Sequence, residues 1–220
     1  MVITKWSADK IFKDLLKRIM NLDIAPGSKL TETELSQEYN VSRTPIREAL
    51  QHLSVKGYVA IKPKNGCYVR QLDLLELDEY YDIRVALELE ALDLISKNIP
   101  FLKVKELAEK WDPVVMRFGK TSTEALKNAE EEFHIELAAL SGNSTLIKYL
   151  KDVNNNLRII RRLGFPDDQS VHDTYLEHYK ICMAILDNDF IKAKLELRKH
   201  IYISQEKGRK VTLFQLRGRH

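Results

Sequence analysis

Residues 41–50 read Val41-Ser42-Arg43-Thr44-Pro45-Ile46-Arg47-Glu48-Ala49-Leu50. Ser42 or Thr44 can cap the exposed amides of a helix, and Pro45 falls in its first turn, where a missing N–H costs little. Ile46, Leu50 and Leu53 recur at helical spacing and require a core. Arg43, Thr44 and Arg47 are then left on the outer surface at the helix N-terminus. That end of a reading helix is the part that enters a DNA major groove, where arginine grips guanine or phosphate. An ordinary capped surface helix fits these ten residues equally well. The flanking sequence separates the two readings.

Upstream, Ser7 to Met20 is amphipathic, with Ile11, Leu15, Ile19 and Met20 on one stripe. Ala25-Pro26-Gly27-Ser28 reads as a turn. Thr31-Glu32-Thr33-Glu34 supplies a capping box for a short helix reaching Tyr39, and Asn40 can take the left-handed conformation that ends it. Two short helices, the second opening on basic and hydroxyl side chains, make a helix-turn-helix. Downstream, residues 58–61 and 67–70 are β-rich runs around Lys62-Pro63-Lys64-Asn65-Gly66. Asn-Gly between such runs signals a hairpin, here a wing with Lys62, Lys64 and Asn65 at its tip.

Pro26-Gly27, Leu30, Glu32, Leu35, the run Ser42–Leu50, Leu53, Gly57, Gly66 and Val69 together resemble the winged-helix domain of GntR-family bacterial transcription regulators. The resemblance implies double-stranded DNA as a partner, touched by Arg43, Thr44, Arg47 and Gly66, with Ser42 and Asn65 beside them. The chain departs from the pattern at Thr33, where many relatives carry Arg.

A chain of 220 residues permits two domains, each with its own core. The net charge of +3 is uneven: residues 1–75 hold twelve Lys/Arg against eight Asp/Glu. A basic lobe on a near-neutral body suits a DNA-binding module joined to a domain with another task. Cys67 and Cys182 fall one in each predicted domain, which argues against an internal disulfide and for a reducing cytoplasm. No apolar run approaches the length of a membrane span, and the N-terminus lacks a signal-peptide pattern. The expected organisation is a winged helix-turn-helix over residues 1–72, an all-helical domain over 73–210 and a basic, solvated tail over 211–220.

In the second domain, helices are predicted over 74–97, 102–118, 122–141, 144–162, 170–187 and 189–209, separated by Gly, Pro, Asn and Asp breaks. About six helices with short connections imply an antiparallel bundle, so the fold class is mainly α. Glu130 and His134 share one helix face. His178 shares its face with Ile181, Cys182 and Ile185, and His200 follows Ala193 and Leu197 on another inward stripe. Three helices thus each send one imidazole inward and one adds a carboxylate. That is a suitable donor set for a divalent transition metal such as zinc, nickel or manganese. Each histidine alone reads more readily as a satisfied core residue than as a ligand; it is the three together that point to a shared site.

Glu130-x-x-x-His134 with Ser141-Gly142-Asn143, Glu177-His178 with Ala184 and Asp189, and Ala193 with His200 resemble the FCD domain of the FadR subfamily. In its metal-binding members an Asp and three His hold the ion, and Glu130 falls where the Asp usually stands. The resemblance implies a small carboxylate effector bound with help from the metal. Arg84, in Tyr80-Tyr81-Asp82-Ile83-Arg84, matches the arginine that begins this domain and can pair bidentately with an acid, or else with Glu88 one turn on. Asn143 is a candidate effector contact, or a helix cap. Arg158, Arg161 and Arg162 line either the pocket or the surface.

These readings predict a cytoplasmic, homodimeric repressor on a palindromic operator, with affinity set by the effector. A metal-dependent enzyme fused to a DNA-binding head is the rival, as is a purely structural metal. No nucleophile motif, phosphate-cradling glycine loop or extra acid/base beside the ligands supports the enzyme.

Overall fold

The computed structural model describes residues 6–71, 73–114, 123–163 and 168–217. Helix α1 (Ala8–Met20) is capped by the Ser7 hydroxyl and buries Ile11, Phe12, Leu15 and Ile19. Strand β1 (Lys29–Leu30) leads into α2 (Glu32–Glu38), where Thr31 Oγ1 accepts from Glu34 N at 3.2 Å and donates to the Glu34 carboxylate at 2.6 Å. Asn40 does turn left-handed, at φ 51. The recognition helix α3 (Arg43–Val55) then presses Ile46, Ala49, Leu50 and Leu53 against α1. Its N-cap is Ser42, which makes no side-chain capping bond.

Strands β2 (Val59–Lys62) and β3 (Gly66–Val69) pair antiparallel with Lys62 opposite Gly66. The Asn-Gly pair does not itself form the tight turn. Asn65 N donates to Lys62 O at 3.0 Å, and the positive φ values fall on Lys64 and Gly66. Pro63 fixes the second position of that turn, which moves the left-handed residue to the third. The hairpin is also wider than expected: β1 adds a third strand on the β3 side, Lys29 facing Tyr68 and Leu30 facing Cys67.

The helical domain comprises α4 (Leu74–Lys97), α5 (Phe101–Lys110), α6 (Thr123–Ala139), α7 (Ser144–Leu163), α8 (Asp168–Leu186) and α9 (Phe190–Arg217). Helix α9 packs between α8 and α4, and α7 packs on α4, α6 and α9. Two predicted boundaries are corrected. Helix α5 stops at Lys110 rather than 118, because Asp112 Oδ1 accepts from Val114 N (2.7 Å) and opens a fresh turn at Pro113. The supposed tail from 211 is helical through Arg217, with Thr212 fully buried. Gly208, inside the helix predicted over 189–209, is a close contact: a methyl there would meet Ile160 Cγ2 at 3.2 Å and Leu77 Cδ1 at 3.7 Å. Residues 218–220 lie outside the described residues.

The head meets the bundle along α7. Arg158 Nη1 donates to Lys56 O at 2.9 Å, just past the end of α3. Gly57 has φ +78, and a Cβ on it would stand 2.0 Å from Asn155 O. Only glycine allows that approach.

Candidate functional site

Glu130 and His134 on α6, His178 on α8 and His200 on α9 are all buried, and one ligand atom from each lies within 4.8 Å of the others. The three Nε2 atoms converge: His134 to His200 is 3.1 Å and His178 to His200 is 3.3 Å. Glu130 Oε1 stands 3.7 Å from His134 Nε2. Two rings are oriented from behind. Glu88 Oε2 meets His134 Nδ1 at 2.6 Å, and Glu177 Oε2 meets His200 Nδ1 at 2.7 Å. Carboxylates on Nδ1 hold that proton there and free Nε2 as a lone-pair donor, the arrangement found behind metal-bound histidines. His178 is instead fixed by ring packing, stacked on Phe133 at 3.7 Å with Trp111 edge-on at 4.3 Å.

The charges are buried with the rings. Arg84 Nε donates to Glu88 Oε1 at 2.7 Å, and Arg161 Nη2 pairs with Glu130 Oε1. Burial would raise the Glu88 carboxyl, but His134 and Arg84 outweigh it and hold it down to about 2. Burial likewise opposes ionisation of Glu130, and Arg161 with His134 overcomes it, keeping that carboxyl well below its usual range. Burial and the neighbouring rings His200 and His134 push His178 well below 6.5. His200 is lowered by burial too, partly offset by Glu177.

These shifts set a pH dependence. His178 and His200 have folded values below the unfolded one, so their contribution to stability is present above about pH 6.5 and is lost as pH falls through it. Glu88, also depressed, adds stability above about 4.5 that is lost toward about 2. In chelator-treated protein the urea midpoint should therefore be higher at pH 7.5 than at pH 5, with the rise levelling off above about pH 6.5. A midpoint that is level or falls over that range contradicts this assignment.

Of the predicted effector contacts, Arg84 reaches the cluster and Asn143 does not. Arg84 is fully buried, and while Nε is spent on Glu88, Nη1 and Nη2 have no hydrogen-bond partner. Both sequence alternatives for Arg84 are thus open at once. Asn143 Oδ1 accepts from Leu146 N at 3.0 Å, capping α7, and Asn143 is not among the residues lining the cavity beside the histidines. Sequence reasoning missed the roles of Glu88 and Glu177, and left Arg161 undecided. Its signals were the i+4 spacing of Glu88 from Arg84 and the adjacency of Glu177 to His178. The Arg162 side chain lies outside the described residues.

At the other end of the molecule, Ser42, Arg43, Thr44 and Arg47 are exposed on α3, and Asn65 and Gly66 are exposed at the wing tip. A cleft of about 500 Å³ between helix and wing is lined by Glu32, Arg47, Gln51, Lys64, Asn65 and Gly66. Arg47 Nε bonds Glu32 Oε2 at 2.7 Å. Lys29 and Lys62 lie 5.8 and 5.5 Å from the centre of the Tyr68 ring, adding positive charge beside the wing.

A winged helix-turn-helix head on a helical bundle with a buried histidine cluster defines a DNA-binding transcription regulator rather than an enzyme. Residues 7–69 match the gntR family of bacterial regulatory proteins, and residues 79–202 match the FCD domain. The chain belongs to the GntR family, in its FadR-like FCD subfamily. It is 30% identical over 193 residues to an HTH-type transcriptional regulator in an unstable DNA locus of Streptomyces ambofaciens, covering 87% of this chain and 80% of that one. It is 22% identical to the HTH-type transcriptional repressor RspR of Escherichia coli, covering 92% and 89%. Among solved structures, the Listeria monocytogenes regulator Lar superposes with a TM-score of 0.70 at 15% identity, covering 94% and 98%. A Rhodococcus GntR regulator gives 0.61 at 21%, covering 91% and 96%. Those two likenesses speak to the fold. Among the described residues, no helix is long and apolar enough to cross a membrane.

Proposed function

We propose that the chain is a cytoplasmic, homodimeric repressor that reads a palindromic operator and is controlled by a metal-assisted carboxylate effector. The observation that carries the metal is the meeting of three buried Nε2 atoms at 3.1 and 3.3 Å, two of them with carboxylates on Nδ1. His134, His178 and His200 would hold the ion with Glu130 as the fourth donor. A nitrogen-rich set of this kind suits zinc, nickel or manganese, and the bound metal would polarise a carboxylate oxygen. Arg84, fully buried behind Glu88 and His134, has Nη1 and Nη2 without hydrogen-bond partners, which favours a planar anion over a neutral ligand nearby. Arg43, Thr44 and Arg47 would enter the major groove, with Ser42, Asn65 and Gly66 meeting the backbone and the wing groove.

The test is a thermal-shift series on chelator-treated protein. Zinc at a hundred times its dissociation constant stabilises the native state by about 2.7 kcal/mol, which raises Tm by roughly 5–10 °C for a chain of this size. His134→Ala, His178→Ala and His200→Ala should each remove most of that rise. An undiminished rise in all three removes this ligand set. Small organic acids should add a further rise only when zinc is present; a zinc-only response would make the metal structural.

A further inference from the structure

The cavity beside the histidines is small, about 20 Å³, lined by Glu130, Arg161, Thr174, Glu177, His200 and Ser204, among others. That is room for about one water molecule, not for an organic acid. Glu130 and Arg161 form part of its wall, and their ion pair joins α6 to α7. A second α6–α7 ion pair lies beside it: Arg158 Nε is 2.9 Å from Glu131 Oε2. Asn154, Arg158 and Arg161 stand at i, i+4 and i+7 on α7, so one face carries all three. Asn154 Oδ1 accepts from Arg161 Nη1 at 3.4 Å. Arg158 Nη1 in turn holds Lys56 O, the C-cap carbonyl of the recognition helix. The Asn155 backbone abuts Gly57 next to it. An open cleft of about 680 Å³, lined by Tyr58, Glu131, Asn154, Asn155 and Arg158, borders this contact and leaves space for it to move.

Resting on the metal reading above, we infer that α7 reports the state of the histidine site to the DNA-reading head, with Arg161 as the sensor and Arg158 as the link to α3. Glu130 Oε1 is the atom that meets Arg161 and also the one that stands 3.7 Å from His134 Nε2. It cannot serve a guanidinium and a metal equally well. When Glu130 turns to the histidine side, Arg161 is left as a buried cation without its anion, which is strongly unfavourable. Relief comes from displacement of α7 or from the carboxylate of an entering acid. In either case the Glu130–Arg161 wall opens, and Arg158, one turn away on the same face, carries the Lys56 carbonyl with it. The end of α3 is thereby biased by the occupant of a site in the other domain, which is what coupling between sites requires.

Zinc alone is a sufficient probe. Zinc affinity, measured by competition with a chromophoric chelator, and hydrogen exchange of the 56–58 amides are compared for the wild type, Arg158→Gln and Arg161→Gln. In the wild type zinc should change exchange at 56–58 by about fivefold or more. Arg158→Gln should bind zinc as the wild type does and lose that change. Arg161→Gln, with Glu130 released, should bind zinc about tenfold more tightly. The inference is overturned if Arg158→Gln keeps the full response, or if a folded Arg161→Gln shows unaltered zinc affinity. Should Arg161→Gln not fold, the half-buried Arg158 decides alone. Absence of zinc binding by the wild type overturns the metal reading first, and this inference with it.

Discussion

Replacing Arg43 and Arg47 together by alanine is expected to abolish specific DNA binding while leaving the fold intact. Both side chains are exposed at the N-terminal end of α3, and neither contributes to the core formed by Ile46, Ala49, Leu50 and Leu53. A well-placed arginine on a guanine edge is worth roughly fivefold to a hundredfold in discrimination, and one on phosphate weakens all sequences alike when removed. Two losses combined give roughly a hundredfold or more. The measurement is fluorescence anisotropy against an operator duplex selected from random DNA, repeated across salt concentrations. Loss of two phosphate contacts would lower the salt slope by about two, whereas loss of base contacts would leave the slope and flatten sequence preference. Arg47 bonds Glu32 in the free protein, so Glu32→Gln should strengthen binding modestly by removing a competitor of opposite charge. Unchanged affinity in the double variant would mean that the reading surface lies elsewhere.

The second large effect concerns stability rather than DNA. Arg84→Leu should lower the unfolding free energy by about 3–5 kcal/mol at neutral pH, because it strands Glu88 as a buried anion. Arg84 is fully buried and Glu88 nearly so, and Glu88 is shared between the Arg84 guanidinium at 2.7 Å and His134 Nδ1 at 2.6 Å. Adding Glu88→Gln to Arg84→Leu should recover part of the loss, since the amide removes the stranded charge. A double-mutant cycle by urea denaturation reads that coupling directly. A cost below about 1 kcal/mol for Arg84→Leu would show that the guanidinium is not what keeps the buried Glu88 carboxylate tolerable beside His134.

The head was legible in the sequence because its signals are local. The cap at Thr31, the left-handed Asn40, the proline in the first turn of α3 and the period of Ile46, Leu50 and Leu53 each lie within one turn of what they determine. Strand β1 escaped because two residues carry no periodicity; their conformation comes from pairing with β3 some 38 residues away in sequence, as Lys29 faces Tyr68 and Leu30 faces Cys67. The histidines were legible for a similar reason: each sits on an apolar stripe of its own helix. What holds them was not. Glu88 reaches His134 from a different helix, and the burial of Arg161 depends on the meeting of α6 and α7.

The distal part of α9 also bears on how the two halves can be separated. The FCD match ends at residue 202, yet Ser204 bonds Tyr81 at 2.9 Å, and Gln205 and Arg209 each hold Asp78 at 2.7 Å. Asp78 and Tyr81 belong to the opening turns of α4, the first helix after the wing. A fragment trimmed to the matched boundary would strip those turns of their tethers and uncover Leu77 and Ile160, which Gly208 lets α9 cover closely. Such a fragment should aggregate or fray at its N-terminal end, and excision of a well-behaved sensor module needs the chain retained to at least Thr212.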